Sequence, residues 1–74
     1  MKSADIKYLK LIGKNISRIR KEKGLTQVQV CDDIDMERNN FSGIENGRRN
    51  MTCITLKKIA DSLDTEVIEF FRFD

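Results

Sequence analysis

The stretch TQVQVCDDIDMERNNFSGIENG, residues 26–47, contains the pattern on which the fold depends. It predicts a short helix, a tight turn over residues 35–37 and a second short helix, which Gly47 ends. On the second helix Phe41 and Ile44 fall on one side and are expected to face inward. The opposite side is expected to face outward and carries small and polar residues: Arg38, Asn39, Ser42, Gly43 and Asn46. A row of arginine, amide and hydroxyl groups in water suggests a surface that recognises a ligand.

The beginning of this stretch carries several signals of a helix start. Thr26 is a typical N-cap residue, and Gln29 at the third helical position completes a capping box. Leu25 and Val30 occupy the two positions of a hydrophobic staple. Gly24, just upstream, predicts a left-handed cap that ends the preceding helix. These signals agree on one boundary between the first and second helices.

The rest of the chain adds three predicted helices to this pair. Residues 1–5 are expected to form a loose leader, and the first helix runs over about 7–23, because its apolar residues recur at intervals of three and four. A fourth helix follows Thr52, and a short fifth helix covers about 66–71. The inward positions of the fourth helix are expected at Cys53, Leu56, Ile59, Ala60 and Leu63. Residues 1–74 are therefore interpreted as one compact all-α domain of five helices.

Positive charge is concentrated in the first third of the chain. Residues 1–25 hold eight Lys and Arg against two Asp and Glu, whereas residues 26–74 hold six against ten. A row of basic side chains lies opposite the apolar side of the first helix: Lys7, Lys10, Lys14, Arg18 and Lys21. The simplest interpretation is a solvated helix face, and the functional alternative is electrostatic steering towards a polyanion. Arg20 lies nearer the apolar side and therefore needs an acidic partner.

Composition argues against several classes of site. The chain has two cysteines, Cys31 and Cys53, and no histidine, so a zinc site would lack ligands. Both cysteines are expected to be small buried residues of the core. Neither has an obvious activating partner, so no enzymatic activity and no cofactor are expected. The sequence shows no signal peptide and no apolar run of membrane length, so the chain is expected to be soluble and cytoplasmic.

Three segments form a recognisable combination: IRKEKGLTQ at 19–27, SGIENG at 42–47, and TL at 55–56 with Ile59, Ala60 and Leu63. Together they are similar to the lambda-repressor-like helix-turn-helix family, also called the Cro/XRE type, over residues 12–71. The resemblance implies five helices, of which the second and third form the DNA-binding unit. It also implies a salt bridge between Arg20 and Glu45, which supplies the acid that Arg20 needs. The segments 38–42 and 48–52 further resemble the controller proteins of restriction–modification systems.

The resemblance implies a sequence-specific transcriptional regulator whose third helix lies in the major groove of double-stranded DNA. Arg38 can donate two hydrogen bonds to guanine, and Asn39 can pair with adenine. Gln27 is implied to contact phosphate, and we also expect it to brace the side chain of Arg38. Gly43 is expected either to let the DNA approach closely or to be a small residue that the helix merely tolerates. The loop after the third helix is expected to clamp phosphate, and the alternative for its arginines is a solvated loop. The expected DNA-binding residues are Gln27, Arg38, Asn39, Asn40, Ser42, Gly43, Asn46, Arg48 and Arg49.

A homodimer on a palindromic operator is also implied, because one such domain contacts little DNA. The candidate dimerisation segment is 66–74, since exposed apolar residues on a small domain suggest a partner. Its expected interface residues are Ile68, Phe71 and Phe73, and Ile54 could join them. The alternative for these side chains is that they close the core. Neither a membrane nor a small-molecule ligand is an expected partner.

The chain departs from the family at two positions. Asp35 stands in the turn where the family usually has glycine, and aspartate tolerates a left-handed backbone. Glu37 stands where the third helix usually starts with serine or threonine, and its charge would repel nearby phosphate. A restriction–modification controller, a small phage-type repressor and a DNA-binding antitoxin all fit the resemblance. The alternative from another class is a protein-interaction module that keeps the fold without reading DNA.

Overall fold

The computed structural model describes residues 2–73, which form four α-helices followed by one 3₁₀ helix. The elements are α1 (Ser3–Glu22), α2 (Gln27–Ile34), α3 (Arg38–Glu45), α4 (Cys53–Ser62) and the 3₁₀ helix Val67–Phe71. The long α1 packs against α3 and the 3₁₀ helix, whereas α2 packs against α3 and α4. The all-α class predicted from the sequence is therefore confirmed. None of the helices in the described part of the chain is long and apolar enough to cross a membrane.

The N-terminal helix is longer than the sequence pattern predicts. α1 begins at Ser3, so the prediction of a loose leader over residues 1–5 is wrong for residues 3–5, and Met1 lies outside the described residues. Two features explain the extra turn. Asp5 lies in the first turn, where a negative charge is favourable beside the helix dipole. Ile6 is half-buried, which extends the apolar side one turn before Leu9.

The core forms where the apolar sides of the helices meet. Its largest fully buried side chains are Phe41, Phe70, Ile16, Ile44, Ile59, Leu63 and Val30. Cys31 belongs to the core, and its burial, aided by the charge of Asp32, raises the pKa of its thiol. The expectation that Cys53 is also buried is wrong, because it is exposed at the first position of α4. The buried side of α4 begins one turn later, at Leu56.

The predicted helix boundaries around α2 are present. The Thr26 side chain accepts a hydrogen bond from the backbone of Gln29, and the Gln29 side chain accepts one from the backbone of Thr26. Gly24 and Gly47 both adopt positive φ values, of 72° and 74°. Left-handed backbone of this kind favours glycine, so these residues end α1 and α3 where the sequence predicts.

The fifth helical segment is a short 3₁₀ helix instead of an α-helix. It has only five residues, a length at which 3₁₀ geometry is common. Phe70 is its buried anchor. The side-chain amide of Asn15 on α1 donates hydrogen bonds to the carbonyls of Phe70 and Arg72, both at 3.0 Å. The C-terminal segment is thus tied directly to α1.

Candidate nucleic-acid interface

The turn between α2 and α3 is built around a left-handed aspartate. Asp35 has φ 54° and ψ 52°, so it takes the backbone conformation for which the family usually has glycine. The next N–H, of Met36, donates to the carbonyl of Cys31 at 2.9 Å. Glu37 is the N-cap of α3 but makes no side-chain capping hydrogen bond. As expected from the sequence, the turn keeps its shape with Asp35, and Glu37 caps poorly.

α3 has two distinct faces, as its sequence predicts. Phe41 and Ile44 are buried, at 0% and 1% exposure. Arg38, Asn39 and Asn46 are exposed, and Ser42 and Asn40 are half-buried. Asn40 faces the loop before α4, where it lines a shallow groove with Asn50, Met51 and Thr55 among others. The side of α3 that carries Arg38 and Asn39 is thus presented to solvent on a helix whose other side is fixed in the core.

The sequence pattern predicts that Gly43 faces outward, and this prediction is wrong, because Gly43 is buried. The side chain of Arg49 covers it: a Cβ added at residue 43 would lie 2.5 Å from Arg49 Cγ and 3.2 Å from Arg49 Nε. The absence of a side chain at Gly43 therefore makes room for Arg49. In this structure the open backbone expected for close approach of DNA is occupied by a side chain of the chain itself.

A buried ion pair ties α3 to α1. Arg20 Nε lies 2.7 Å from Glu45 Oε2, and Arg20 Nη2 lies 3.1 Å from Glu45 Oε1. Both side chains are less than a tenth exposed. Arg20 Nη1 also donates to the carbonyl of Leu25 at 2.8 Å, so the guanidinium joins the start of α2 as well. Removing one partner would leave an uncompensated buried charge, which makes this pair structural.

Gln27 joins the same network. Its side-chain Nε2 donates to Glu45 Oε1 at 2.8 Å. The expectation that Gln27 braces Arg38 is therefore wrong, because its amide is bound to the far end of α3. This contact locks the relative position of α2 and α3. Gln27 still lies in the first turn of α2, where backbone N–H groups are free to meet an anion.

The end of α3 is rigid and its following loop is basic. The side-chain amide of Asn46 donates to the carbonyl of Ser42 at 2.8 Å, so this side chain folds back along the helix. Arg48 and Arg49 follow Gly47, and both are exposed. They lie in the chain directly after the exposed face of α3. A basic loop in this place fits the phosphate-clamp role expected for it.

Lys10, a member of the basic row of the first helix, stands beside this loop, a contact that the sequence pattern does not predict. A Cβ added to Gly47 would lie 2.8 Å from both Cα and N of Lys10, so the two backbones touch. Gly13 is the sequence signal that could have located this contact. It is a small residue on the inward side of α1, and a Cβ there would overlap the carbonyl oxygens of Ile44 and Glu45. α1 therefore crosses the end of α3 at backbone contact.

The residues expected to form the dimer interface lie in two different environments. Ile68 is 61% exposed. Phe73 and the half-buried Phe71 pack with Tyr8 of α1, at ring-centroid distances of 5.4 Å and 6.3 Å from Tyr8. Ile54 is exposed on α4. Asp74, the last residue of the expected segment 66–74, lies outside the described residues.

Comparisons with known proteins agree with this geometry. The family of Cro/C1-type HTH DNA-binding domains matches residues 15–74. The chain is similar to an uncharacterised HTH-type transcriptional regulator, y4dJ, of Sinorhizobium fredii (strain NBRC 101917 / NGR234). The two are 43% identical over 60 residues, which make up 81% of this chain and 78% of that protein.

Two solved structures of restriction–modification controller proteins share the fold. The crystal structure of C.AhdI from Aeromonas hydrophila matches with a TM-score of 0.82 and 32% identity, covering 85% of this chain and 96% of that one. C.Esp1396I, solved as a tetramer with its natural 35 base-pair operator, matches with a TM-score of 0.77 and 34% identity, covering 86% and 84%. The chain therefore belongs to the Cro/C1-type family of HTH DNA-binding domains, and restriction–modification controller proteins are among its homologues.

Proposed function

We propose that this protein is a transcriptional regulator that recognises a specific double-stranded DNA sequence with the exposed face of α3. The observation that carries the proposal is the construction of α3. Phe41 and Ile44 fix one side in the core, and Glu45 anchors its end, while Arg38 and Asn39 stay exposed at its start. A helix fits the major groove, and its N-terminal residues are the ones that reach base edges in this motif.

Base recognition is assigned to Arg38 and Asn39. Arg38 can donate two hydrogen bonds to O6 and N7 of guanine, and Asn39 can pair with N6 and N7 of adenine. Ser42 lies one turn further along and Asn40 to one side, where they can contact neighbouring groups on the DNA. Gly43 contributes indirectly, because it seats the side chain of Arg49 against α3.

Phosphate contacts flank this reading surface. The first turn of α2, which includes Gln27, has no acidic residue and presents unpaired backbone N–H groups to an anion. Arg48, Arg49 and Asn46 supply the second contact, after α3. Such contacts hold the domain in register on the duplex without reading its sequence.

The protein is proposed to act as a homodimer on a palindromic operator. One module of this size buries little DNA, and two domains are needed for tight binding. The interface residues proposed are Ile68, Phe71 and Phe73. Support comes from the exposure of Ile68 and Phe73, beside which Phe71 is half-buried, and from the homologue C.Esp1396I, which is a tetramer on its operator. We expect no enzymatic activity and a location in the cytoplasm, where the chain would meet DNA.

Among regulators, the control of a restriction–modification system is favoured. C.AhdI and C.Esp1396I, both controller proteins, match over most of this chain. A phage-type repressor and a DNA-binding antitoxin are alternatives with the same reading surface. A module that binds only protein would need no reading surface at all.

Selection from a pool of random duplexes tests the proposal. The purified protein should enrich one palindromic sequence, and binding to that duplex by fluorescence polarisation should weaken steeply as salt increases. A scrambled duplex of equal length is the control and should bind far more weakly at every salt concentration. Failure to enrich any sequence would overturn the proposal and favour the protein-interaction module.

A further inference from the structure

We propose that Lys10 and Lys14 of α1 bind DNA phosphates and extend the contact surface beyond the helix-turn-helix unit. The inference rests on the proposed function, since it assigns further contacts to the same DNA. It concerns a surface on the long first helix, next to the basic loop after α3.

The helix crossing places both lysines at the end of α3. Gly13 lies between them in sequence and touches the carbonyl oxygens of Ile44 and Glu45. On one side of this crossing the backbone of Lys10 lies against Gly47, immediately before Arg48. On the other side Lys14 shares the wall of a groove with Glu45. The two lysines therefore stand where the exposed face of α3 ends and the phosphate-binding loop begins.

Both lysines are available for an external anion. Each is exposed, and among residues 2–73 no carboxylate lies within 4.0 Å of either ammonium group. Arg18, further along the same row, differs because its guanidinium is paired with Glu22 at 2.6 Å. Within residues 2–73, Arg18 is thus the paired member of the basic row. Lys10 and Lys14 are the unpaired members that lie beside the crossing of α1 and α3.

Two acidic groups, Glu22 and Glu45, line the groove beside Lys14, and both are already paired with arginines of α1. Other acidic groups lie further away. Asp33, Asp35 and Asp61 share a depression at the C-terminal end of α2. A second depression at the end of α4 is lined by acidic residues that include Asp64 and Glu66. The end of α3, beside which both lysines lie, is at the opposite end of that helix from the acidic turn after α2, whereas Arg38 and Asn39 at its start follow the turn directly. Lys10 and Lys14 therefore lie away from the acidic turn between α2 and α3.

A purely structural role makes a different prediction. Lysines near a helix C-terminus can stabilise the partial negative charge there, and α3 ends beside both residues. That role would affect folding stability and would leave the salt dependence of DNA binding unchanged. Phosphate contacts would instead release condensed counterions from the DNA, at about 0.9 per contact, and would not alter base preference.

The test uses the full chain and the palindromic duplex that the wild-type protein selects. Each substitution removes one phosphate contact from each half-site of the dimer. Lys10→Gln and Lys14→Gln should therefore each reduce the slope of log K against log salt concentration by about 1.8, and the double variant by about twice that. The selected base sequence should stay the same. Lys57→Gln is the matched control, because it removes one exposed positive charge from α4, where Lys57 pairs with Asp61.

Phosphate ethylation locates the contact on the DNA. Some phosphates should interfere with wild-type binding when ethylated but have no effect on the double variant. Unchanged slopes and an unchanged interference pattern, with wild-type binding intact, would overturn this inference and leave the proposed function standing. A changed base preference would also overturn it, because the lysines would then act through α3. If the wild-type protein selects no sequence, the proposed function itself fails, and this inference fails with it.

Discussion

Glu45 shows how a residue on the proposed reading helix can serve the fold. It accepts hydrogen bonds from Arg20 on α1 and from Gln27 on α2, so three helices meet at one carboxylate. The sequence suffices to predict the Arg20–Glu45 pair, because the family motif carries both residues and Arg20 lies near the apolar side of its helix. The link from Gln27 could not be predicted in this way, since it depends on the side-chain conformation across two helices.

Replacing Glu45 with alanine should destabilise the fold by about 3–5 kcal/mol, because Arg20 would be left buried without a counter-charge. Chemical denaturation followed by circular dichroism measures this loss. Asn46→Ala is the control at the next position, where the side chain is exposed, and we expect a change of less than about 1 kcal/mol. Unaltered stability of Glu45→Ala combined with a loss of DNA binding would contradict the structural role of the pair.

Gly43 and Cys53 mark the limit of sequence reasoning at single residues. Helix phase places Gly43 on the outward side, but it is covered by the side chain of Arg49, which comes from the next loop. Helical periodicity also predicts that Cys53 faces inward. However, Cys53 is the first residue of α4, and the side of α4 that packs against the core begins at Leu56. In both cases the path of a neighbouring segment decides whether the residue is buried. The periodicity of the sequence carries no information about that path.

At the scale of the element, α1 organises the molecule more than the sequence pattern indicates. It runs from Ser3 to Glu22, crosses α3 at Gly13 and holds the C-terminal segment through Asn15. Caps and turn residues are local signals, so the boundaries at Thr26, Thr52 and Gly47 follow from the sequence. The early start of α1 and the 3₁₀ geometry of the last helix depend on packing between distant segments, so they do not.

Two glycine substitutions test the close crossing of α1 and α3. Gly13→Ala and Gly43→Ala both place an alanine within a helix, which by propensity alone should stabilise each by about 1 kcal/mol. A Cβ at residue 13 would overlap backbone carbonyls, whereas one at residue 43 meets a flexible arginine side chain. Gly13→Ala should therefore lower the Tm clearly, and Gly43→Ala should change it little. Equal melting temperatures in a thermal scan would show that the crossing is not close.

At the scale of the whole molecule, the fold separates three tasks. The core and the Arg20–Glu45 pair fix α3. Basic side chains lie along α1 and in the loop after α3, and exposed apolar residues such as Ile54, Ile68 and Phe73 lie on α4 and the C-terminal segment. The family resemblance and the helical periodicity of apolar and polar residues predict this division in outline. The packing of Tyr8 with Phe71 and Phe73 is new information, because it needs the position of the C-terminal segment on α1.

The dimer can be tested through Ile68, which is 61% exposed. Ile68→Asp should convert the dimer into a monomer in sedimentation experiments, because a carboxylate would be buried in an apolar interface. It should also weaken operator binding, while the thermal stability of the monomer changes little. Val28→Asp, on the exposed surface of α2, is the control and should remain dimeric. A dimer that persists in Ile68→Asp would place the interface elsewhere.

If the exposed face of α3 reads DNA sequence, Arg38 at its start should discriminate between bases. The measurement is the relative affinity of wild-type protein and Arg38→Ala for the selected operator and for each single-base variant of it. Arg38→Ala is expected to lose discrimination of about 1–3 kcal/mol at one base step in each half-site, with an unchanged Tm. An equal loss of affinity on every sequence would show that α3 does not read bases through Arg38, because Arg38 would then contact only the backbone of the DNA.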